Sequence, residues 1–373
     1  MEIRLLDERG LWDSWVEGCP VGNILQSYEW GEFKASFGWK AIRVGVTDNR
    51  KIRAGAQLLL RHSPVGTVAY CPRGPLVDYS DARLVDKVFE ALHEVARSEG
   101  AVFLKIEPPI GDSPGFEDAL KRRGFHRSEA IQPRSTIVID LSPDLATISA
   151  RLNIKTRYNA GLAGRRNVIV SEGTDEDIPA FYDLLHDTSQ RAEFMIHTGE
   201  YYKRVWRYLK PRRMAHLLLA SYEGEVIAGT MLFVTGSQAY YMYGASNGRH
   251  RNLKPNDFVQ WESIKWAKSI GCTSYDMWGI PDDVGRRAQN VDSHNGNGYN
   301  GSGHNGTEKA DATSSPLWGV YLFKKGFGGE VVRFTGAYDY VYSPVQYWLW
   351  TKALPFQRHL FGKVRKLQPA KAG

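Results

Sequence analysis

The hydrophobic positions of this chain fall into short blocks set off by polar turns, and the blocks occur twice. Residues 52–59 read IRAGAQLL and residues 226–233 read VIAGTMLF, each behind a polar turn, DNRK at 48–51 and EGE at 223–225. Apolar runs behind such turns predict the second strand of a hairpin. GTVAYCPRG (66–74) then matches GSQAYYMYG (236–244), with Gly66/Gly236, Ala69/Ala239, Tyr70/Tyr240 and Gly74/Gly244 in register. Both copies continue with a helix. Leu84, Val88, Leu92 and Val95 mark one face of a helix over about 83–99. The second, over about 257–270, stops at Gly271, a residue suited to a left-handed cap. Strands AVFLKIEP (101–108) and TSYDMWGIP (273–281) follow.

The copies stand 174 residues apart at Ile52 and Val226 and 170 apart at Gly66 and Gly236. At LKRRGF (120–125) and LFKKGF (322–327) the separation is 202, and an insertion explains the jump. Residues 282–315 are rich in Asn, Gly, Ser, Asp and His, a composition that buries no apolar area and predicts a disordered loop. It reads as a tolerated surface insertion rather than a lid. Its His294 and His304 read as solvated loop histidines, and no metal is expected. Each copy closes on a final strand, RSTIVIDL (134–141) and VVRFTGAYDYV (331–341).

Such alternation predicts an α/β protein with mixed sheets. Its order resembles the GNAT acyltransferase fold used twice in tandem. Domain 1 is expected over residues 1–145, domain 2 over 146–341, and residues 342–373 are expected to pack back on domain 1. GNAT enzymes hold coenzyme A pyrophosphate with a [Q/R]xxGx[G/A] loop at a helix N-terminus, where free N–H groups bind phosphate. The nearest candidate, RSEGAV at 97–102, fails at its last position, so no cofactor is expected.

Composition narrows the partners. Hydrophobic residues make up 42% of the 373 positions and aromatics 12%, enough to build cores over most of the chain. The net charge of +7 suits a polyanion, a phosphate-bearing substrate or an anionic membrane surface. Cys19, Cys71 and Cys272 are too widely spaced for a metal site or a disulfide framework, which suits a reducing compartment. The start carries acids where a signal peptide needs an apolar run, and no stretch approaches the length of a membrane span. A cytoplasmic, monomeric protein is expected.

Nucleophile signatures such as GxSxG, HExxH, a P-loop or CxxC are missing, so chemistry here rests on positioning and charge stabilisation. Acyl transfer to an amine suits that, since the amine already attacks well. In LQSYEWGEFKASFGWK (25–40), Lys34 stands among Tyr28, Trp30, Phe33, Phe37 and Trp39; it reads as a solvated lysine or as a cation walled by aromatics. Glu107 ends a strand just before Pro108 and Pro109, either as a turn residue or at a ligand site. Arg191, behind the helical pattern Ile178, Phe181, Leu184 and Leu185, either complements a helix end or grips a phosphate. Strict alternation puts Tyr241 and Tyr243 on one face of a strand, as core or as site. Phe323 and Lys324 precede Lys325 and Gly326, and Arg122-Arg123-Gly124 in the first copy allows a plain helix ending instead. Lys155, Arg157, Arg165 and Arg166 form a basic helix face for a phosphate backbone or for solvent. The tail mixes Tyr347, Trp348, Trp350, Phe356 and Phe361 with Lys352, Arg358, Lys363, Arg365 and Lys366. It suits either a docked helix or peripheral contact with the inner face of a membrane.

As an ordered set, LQSYEWGEFKASFGWK, KIEPPI, QPRSTIVIDL, KTRYNAGLAGRRNV, YYMYGAS and YLFKKGFGG resemble the FemABX family of peptidoglycan-bridge aminoacyltransferases. These segments run from about residue 24 to 345. The resemblance implies transfer of an amino acid from aminoacyl-tRNA to an amine of a peptidoglycan precursor, UDP-MurNAc-pentapeptide or lipid II. It implies that Lys34 and Arg191 bind the precursor's phosphates, with Trp30 in the aromatic wall. It places Tyr241 and Tyr243 at the acceptor site, Glu107 at the family's acidic position before proline, and Phe323-Lys324 at the reacting ester. No heptad run exists, so the type without a coiled-coil arm is implied, with tRNA contacts on the surface of domain 2. The alternatives are a GNAT-type N-acyltransferase using an acyl-CoA donor and a non-catalytic precursor-binding protein.

Overall fold

The computed structural model describes residues 1–192, 195–286 and 318–353. Strand β1 (Glu2–Leu5) and helices α1 (Arg9–Gly18) and α2 (Tyr28–Ala35) precede the hairpin β2 (Lys40–Asp48) and β3 (Lys51–Ser63). Then come β4 (Gly66–Cys71), α3 (Ala82–Ser98), β5 (Ala101–Ile106), α4 (Pro114–Arg122) and β6 (His126–Ser128). Past β7 (Ser135–Asp140), helices α5 (Leu145–Arg151) and α6 (Ile154–Arg165) lead to β8 (Ile169–Glu172), α7 (Ile178–Ala192) and α8 (Gly199–Leu209). The second copy is β9 (Ala215–Tyr222), β10 (Glu225–Thr235), β11 (Gln238–Ser246), α9 (Pro255–Ser269) and β12 (Ser274–Ile280). A helix at Trp318–Lys325, β13 (Glu330–Arg333) and β14 (Ala337–Val341) follow.

The two copies build two seven-stranded sheets of matching order, β1-β2-β3-β4-β5-β14-β6 and β8-β9-β10-β11-β12-β7-β13. In each, one pair is parallel, β4 with β5 and β11 with β12, and the remaining ladders are antiparallel. The mixed α/β tandem expected from the repeat is therefore the observed fold. No helix among the described residues exceeds the 17 residues of α3, and none is long and apolar enough to cross a membrane.

The closing strands correct the expected domain boundary. β7 lies between β12 and β13 in the second sheet, and β14 lies between β5 and β6 in the first. The halves thus exchange their last strands. Ile137 and Ile139 of β7 fill the second domain's core, while Tyr338 of β14 fills the first's. Alternation along a strand shows which residues are buried but not in which sheet, so the repeat leaves this crossing unspecified. Residues 342–353 return to the first sheet, where Tyr342 N–H donates to Val102 O at 2.9 Å and the Tyr347 ring meets Phe103 at 5.1 Å. The rest of the tail, from residue 354, lies outside the described residues, as do residues 287–315 of the expected 282–315 loop. Residues 282–286 are helical, with Val284 in the second core and Asp282 paired to Arg333, which corrects the start of that loop.

Four charges hold the crossing. Arg134 reaches Asp112 at 3.1 Å and Asp282 at 3.4 Å, and Arg333 reaches Asp282 at 2.9 Å and also contacts Asp112. Backbone bonds join the same places, from Phe334 N–H to Arg134 O at 2.7 Å and from Asp112 N–H to Arg333 O at 3.0 Å. A third core cluster bridges the halves. Ile24, Leu25, Trp30 and Phe33 pack with Phe181, Leu184, Tyr202, Trp206 and Phe233. Helix α2 is thereby clamped on the second domain, which positions Lys34 between the two.

Candidate active site

Helix α2 starts at Ser27, whose hydroxyl accepts the Trp30 N–H at 3.2 Å, a normal N-cap bond. Phe33 is wholly buried, and the neighbouring Lys34 emerges half-buried at the helix end. Its ammonium lies 5.7 Å from the ring centroids of Phe33, Trp39 and Tyr201. Ring faces attract a cation without neutralising it. Burial, and then the nearby Arg61 guanidinium, push its pKa down. None of the described carboxylates comes within ion-pair reach of Lys34, so the geometry suits an incoming anion. His197 stacks on Tyr201 at 3.8 Å beside it. Trp30 does not join this wall. It is 5% exposed and packs on Phe33 and Phe233, so the expectation of a substrate contact is corrected to support from beneath.

Arg191 ends α7 exposed, with its guanidinium donating to Ser246 O at 2.6 Å. It lines a cavity of about 340 Å³ with Arg251, Lys254 and His250, at the N-terminus of α9. Free helix N–H groups and three full cations make this basin anion-seeking.

The second locus centres on Lys324. Its counterpart in the first copy, Arg122, is exposed, as a plain helix ending requires. Lys324 is instead 6% exposed, donates to Gly279 O at 2.8 Å and lies 5.6 Å from the Tyr241 ring centroid. Burial lowers its pKa to about 8, against the opposing pull of Asp276. Phe323 is half-buried and packs on Phe327 at 5.2 Å.

Tyr241 and Tyr243 do not share a face. Tyr241 registers with Leu232 and Tyr243 with Met231, and the shift between them is a bulge at Met242. Tyr241 therefore packs with the core beside Lys324, and Tyr243 with the opposite core, 5.1 Å from Tyr202. The expected single wall is two. One strand presents an aromatic to each locus, and only the bulge makes this possible.

Glu107 is 2% exposed and accepts from Tyr70 OH at 2.5 Å, Ile131 N–H at 2.6 Å and Gln132 N–H at 2.9 Å. Its carboxylate is committed to the loop that carries the chain towards β7. This corrects the expected catalytic role to a positioning one. Lys155, Arg157, Arg165 and Arg166 all stand exposed on or beside α6. Asn153 N–H, at the head of that helix, donates to Gly326 O at 3.0 Å. The basic helix thus begins against the turn that holds Lys324.

Two residues of the Lys324 locus escaped sequence reasoning. Asp276 is a charge inside an otherwise apolar strand, and that mismatch was a usable signal. Arg73 is buried with φ of 48°, donates to Pro133 O at 2.7 Å and stacks on Phe334 at 3.9 Å. Nothing local in PRG marks it.

Fold and loci together define a tandem GNAT-type protein with a basic cavity and a buried lysine. The FemAB family profile matches residues 9–113, and that of the acetyltransferase (GNAT) domain matches residues 149–284. The chain is 24% identical over 409 residues to a lipid II:glycine glycyltransferase of Staphylococcus saprophyticus, covering 90% of this chain and 92% of that protein. It is also 24% identical over 422 residues to the enzyme of that description in Staphylococcus aureus, covering 92% and 94%. The crystal structure of FemX superposes with a TM-score of 0.79 at 22% identity, covering 94% of this chain and 99% of that one. The FemAB profile, the two glycyltransferases and the FemX fold together support a place for the chain in the FemABX family.

Proposed function

We propose that this protein transfers an aminoacyl group from aminoacyl-tRNA to the stem-peptide amine of a peptidoglycan precursor, lipid II or its UDP-linked form, building an interpeptide bridge. The similar glycyltransferases act on lipid II by their description, which supports the acceptor class. The observation that carries the reading is Lys324, a buried ammonium at the head of an exposed basic helix. In the transfer, the acceptor nitrogen attacks the ester carbonyl, the C–N bond forms and the C–O bond to the tRNA ribose breaks. The amine proton ends on the ribose oxygen. Lys324 is suited to stabilise the oxyanion between these steps, where a preorganised charge acts most strongly. Tyr241 backs the ammonium, and Phe323 is the apolar neighbour of the ester. Lys34 and the Arg191 basin take the precursor's phosphates. The basic tail supports peripheral contact with an anionic membrane, where lipid II would be met.

The test is transfer from a panel of charged tRNAs to the UDP-linked and the lipid-linked precursor. Turnover with acetyl-CoA and none with any charged tRNA would overturn the reading. Lys34→Met is expected to raise KM for the precursor by roughly tenfold or more, as loss of a charge-assisted phosphate contact does, with kcat little changed. A fall in kcat alone would remove Lys34 from the phosphate role. For the tRNA surface, Arg165→Gln with Arg166→Gln is expected to reduce the salt slope of tRNA binding by about 1.5, with each lost phosphate contact contributing about 0.7–0.9. An unchanged slope would place the tRNA elsewhere.

A further inference from the structure

We propose that Asp276 is a positioning residue for Lys324, the counter-charge that keeps this lysine an ammonium where the ester reacts. The repeat makes the case. Tyr70 registers with Lys105 in the first sheet, and Tyr240 registers with Asp276 in the second, so these two charges occupy equivalent places. In the first sheet the charge is neutralised across the ladder. Lys105 faces Asp339 on β14 at 2.9 Å and also donates to Ser128 Oγ at 2.6 Å and Glu129 O at 2.9 Å. In the second sheet the residue across from Asp276 is Val138, which leaves the carboxylate without a cation on its neighbouring strand.

The carboxylate is nevertheless held in place. Asp276 accepts from the Thr136 hydroxyl and from Trp278 N–H, the latter at 2.7 Å. Trp278 itself sits at φ of 60°, an uncommon conformation for a bulky side chain, inside the register shift between Asp276 and Gly279. That same distortion presents Gly279 O to the lysine. One bulge thus fixes both the carboxylate and the carbonyl that serve Lys324. Burial raises the Asp276 pKa, and its two hydrogen bonds, then Arg73 from the turn after β4 and after it Lys324 from the helix, oppose that rise, with Tyr240 alongside. Tyr241 is the other titratable group against Lys324. Burial disfavours the ammonium and Asp276 opposes that effect. Without the carboxylate, desolvation acts unopposed and the lysine loses its proton at lower pH, and the neutral amine carries no charge to stabilise an oxyanion.

The experiment uses the full chain and has two readouts, because the turnover readout rests on the transferase reading above while the other does not. Trace acylation with acetic anhydride across pH, followed by peptide mass spectrometry, gives the titration midpoint of Lys324 directly. Asp276→Asn, which keeps the shape and both hydrogen-bond donors satisfied, is expected to lower that midpoint by roughly one pH unit or more. In the transfer assay its kcat falls with KM for the precursor unchanged, and the rise of kcat with pH levels off at lower pH. Asp276→Glu restores part of both. A midpoint that stays put in folded Asp276→Asn overturns the proposal, whatever the assay shows. Should that variant fail to fold, Asp276→Ser, which removes the charge and keeps a hydroxyl oxygen to accept the Trp278 N–H, is expected to shift the midpoint in the same direction; no shift there is equally decisive. If no charged tRNA supports turnover, the midpoint still decides the role of Asp276.

Discussion

Lys324→Ala is expected to lower kcat for transfer by roughly 10²–10³-fold, the usual effect of removing one preorganised group that stabilises an oxyanion. Affinity for the precursor should be unchanged, because Lys34 and Arg191, the residues proposed to take its phosphates, are on other elements. The pH profile carries a second signature. In the proposed role Lys324 acts as an ammonium, and burial has brought its pKa down to about 8, so its charged fraction declines as pH rises through that value. The acceptor amine works in the opposite sense, since an ordinary amine with a pKa near 10.4 gains nucleophilicity as pH rises. Wild type should therefore show a bell, and the residual activity of Lys324→Ala should rise without an alkaline limb. A variant that keeps the bell, or loses precursor binding together with turnover, would remove Lys324 from the oxyanion role.

The second large effect concerns stability. Arg333→Met is expected to cost roughly 3 kcal/mol, the lower end of what breaking a buried ion pair costs by leaving its partner uncompensated. Arg333 is 6% exposed, whereas Asp112 and Asp282 are 19% and 32% exposed, so water recovers part of the loss. Urea denaturation measures it. Because the arginine sits where the strands exchange, both domains should unfold in one transition at lower urea. Asp86→Ala is the matched control. Its carboxylate is 67% exposed and pairs with Arg123 at the surface, so its removal should cost below about 1 kcal/mol. A cost under 1 kcal/mol for Arg333→Met as well would mean that the crossing is held by its strands alone.

The mixed α/β tandem was legible because hydrophobic period and turn chemistry are local, and the repeat supplied the same pattern twice. Lys34 was legible only in part, since the sequence allowed a solvated lysine as well as a walled cation. Of the three rings around it only Phe33 lies in α2, with Trp39 just after it and Tyr201 from α8. Lys324 was ambiguous in sequence, as Arg122 occupies the same step of the first copy. Burial separates them, and burial depends on what the other elements cover. Trp30 and Glu107 were misassigned in the same way. Their residue types suit a site, but packing uses one as core, and the loop before β7 together with Tyr70 occupies both carboxylate oxygens of the other.

Three decisions belong to tertiary structure alone. The closing strands swap sheets, since an alternating strand completes either one and only the three-dimensional crossing, with its four charges, selects. Tyr241 and Tyr243 part to opposite faces, since one bulged residue reverses an alternation that sequence spacing cannot show to be broken. Asp276 has no cation across the ladder because strand exchange sets Val138 opposite it. The sequence by itself determined the elements, their order, the duplication and the basic character of the surface. The long-range pairing of those elements determined which charges are buried, and desolvation makes a buried charge chemically different from the same residue in water.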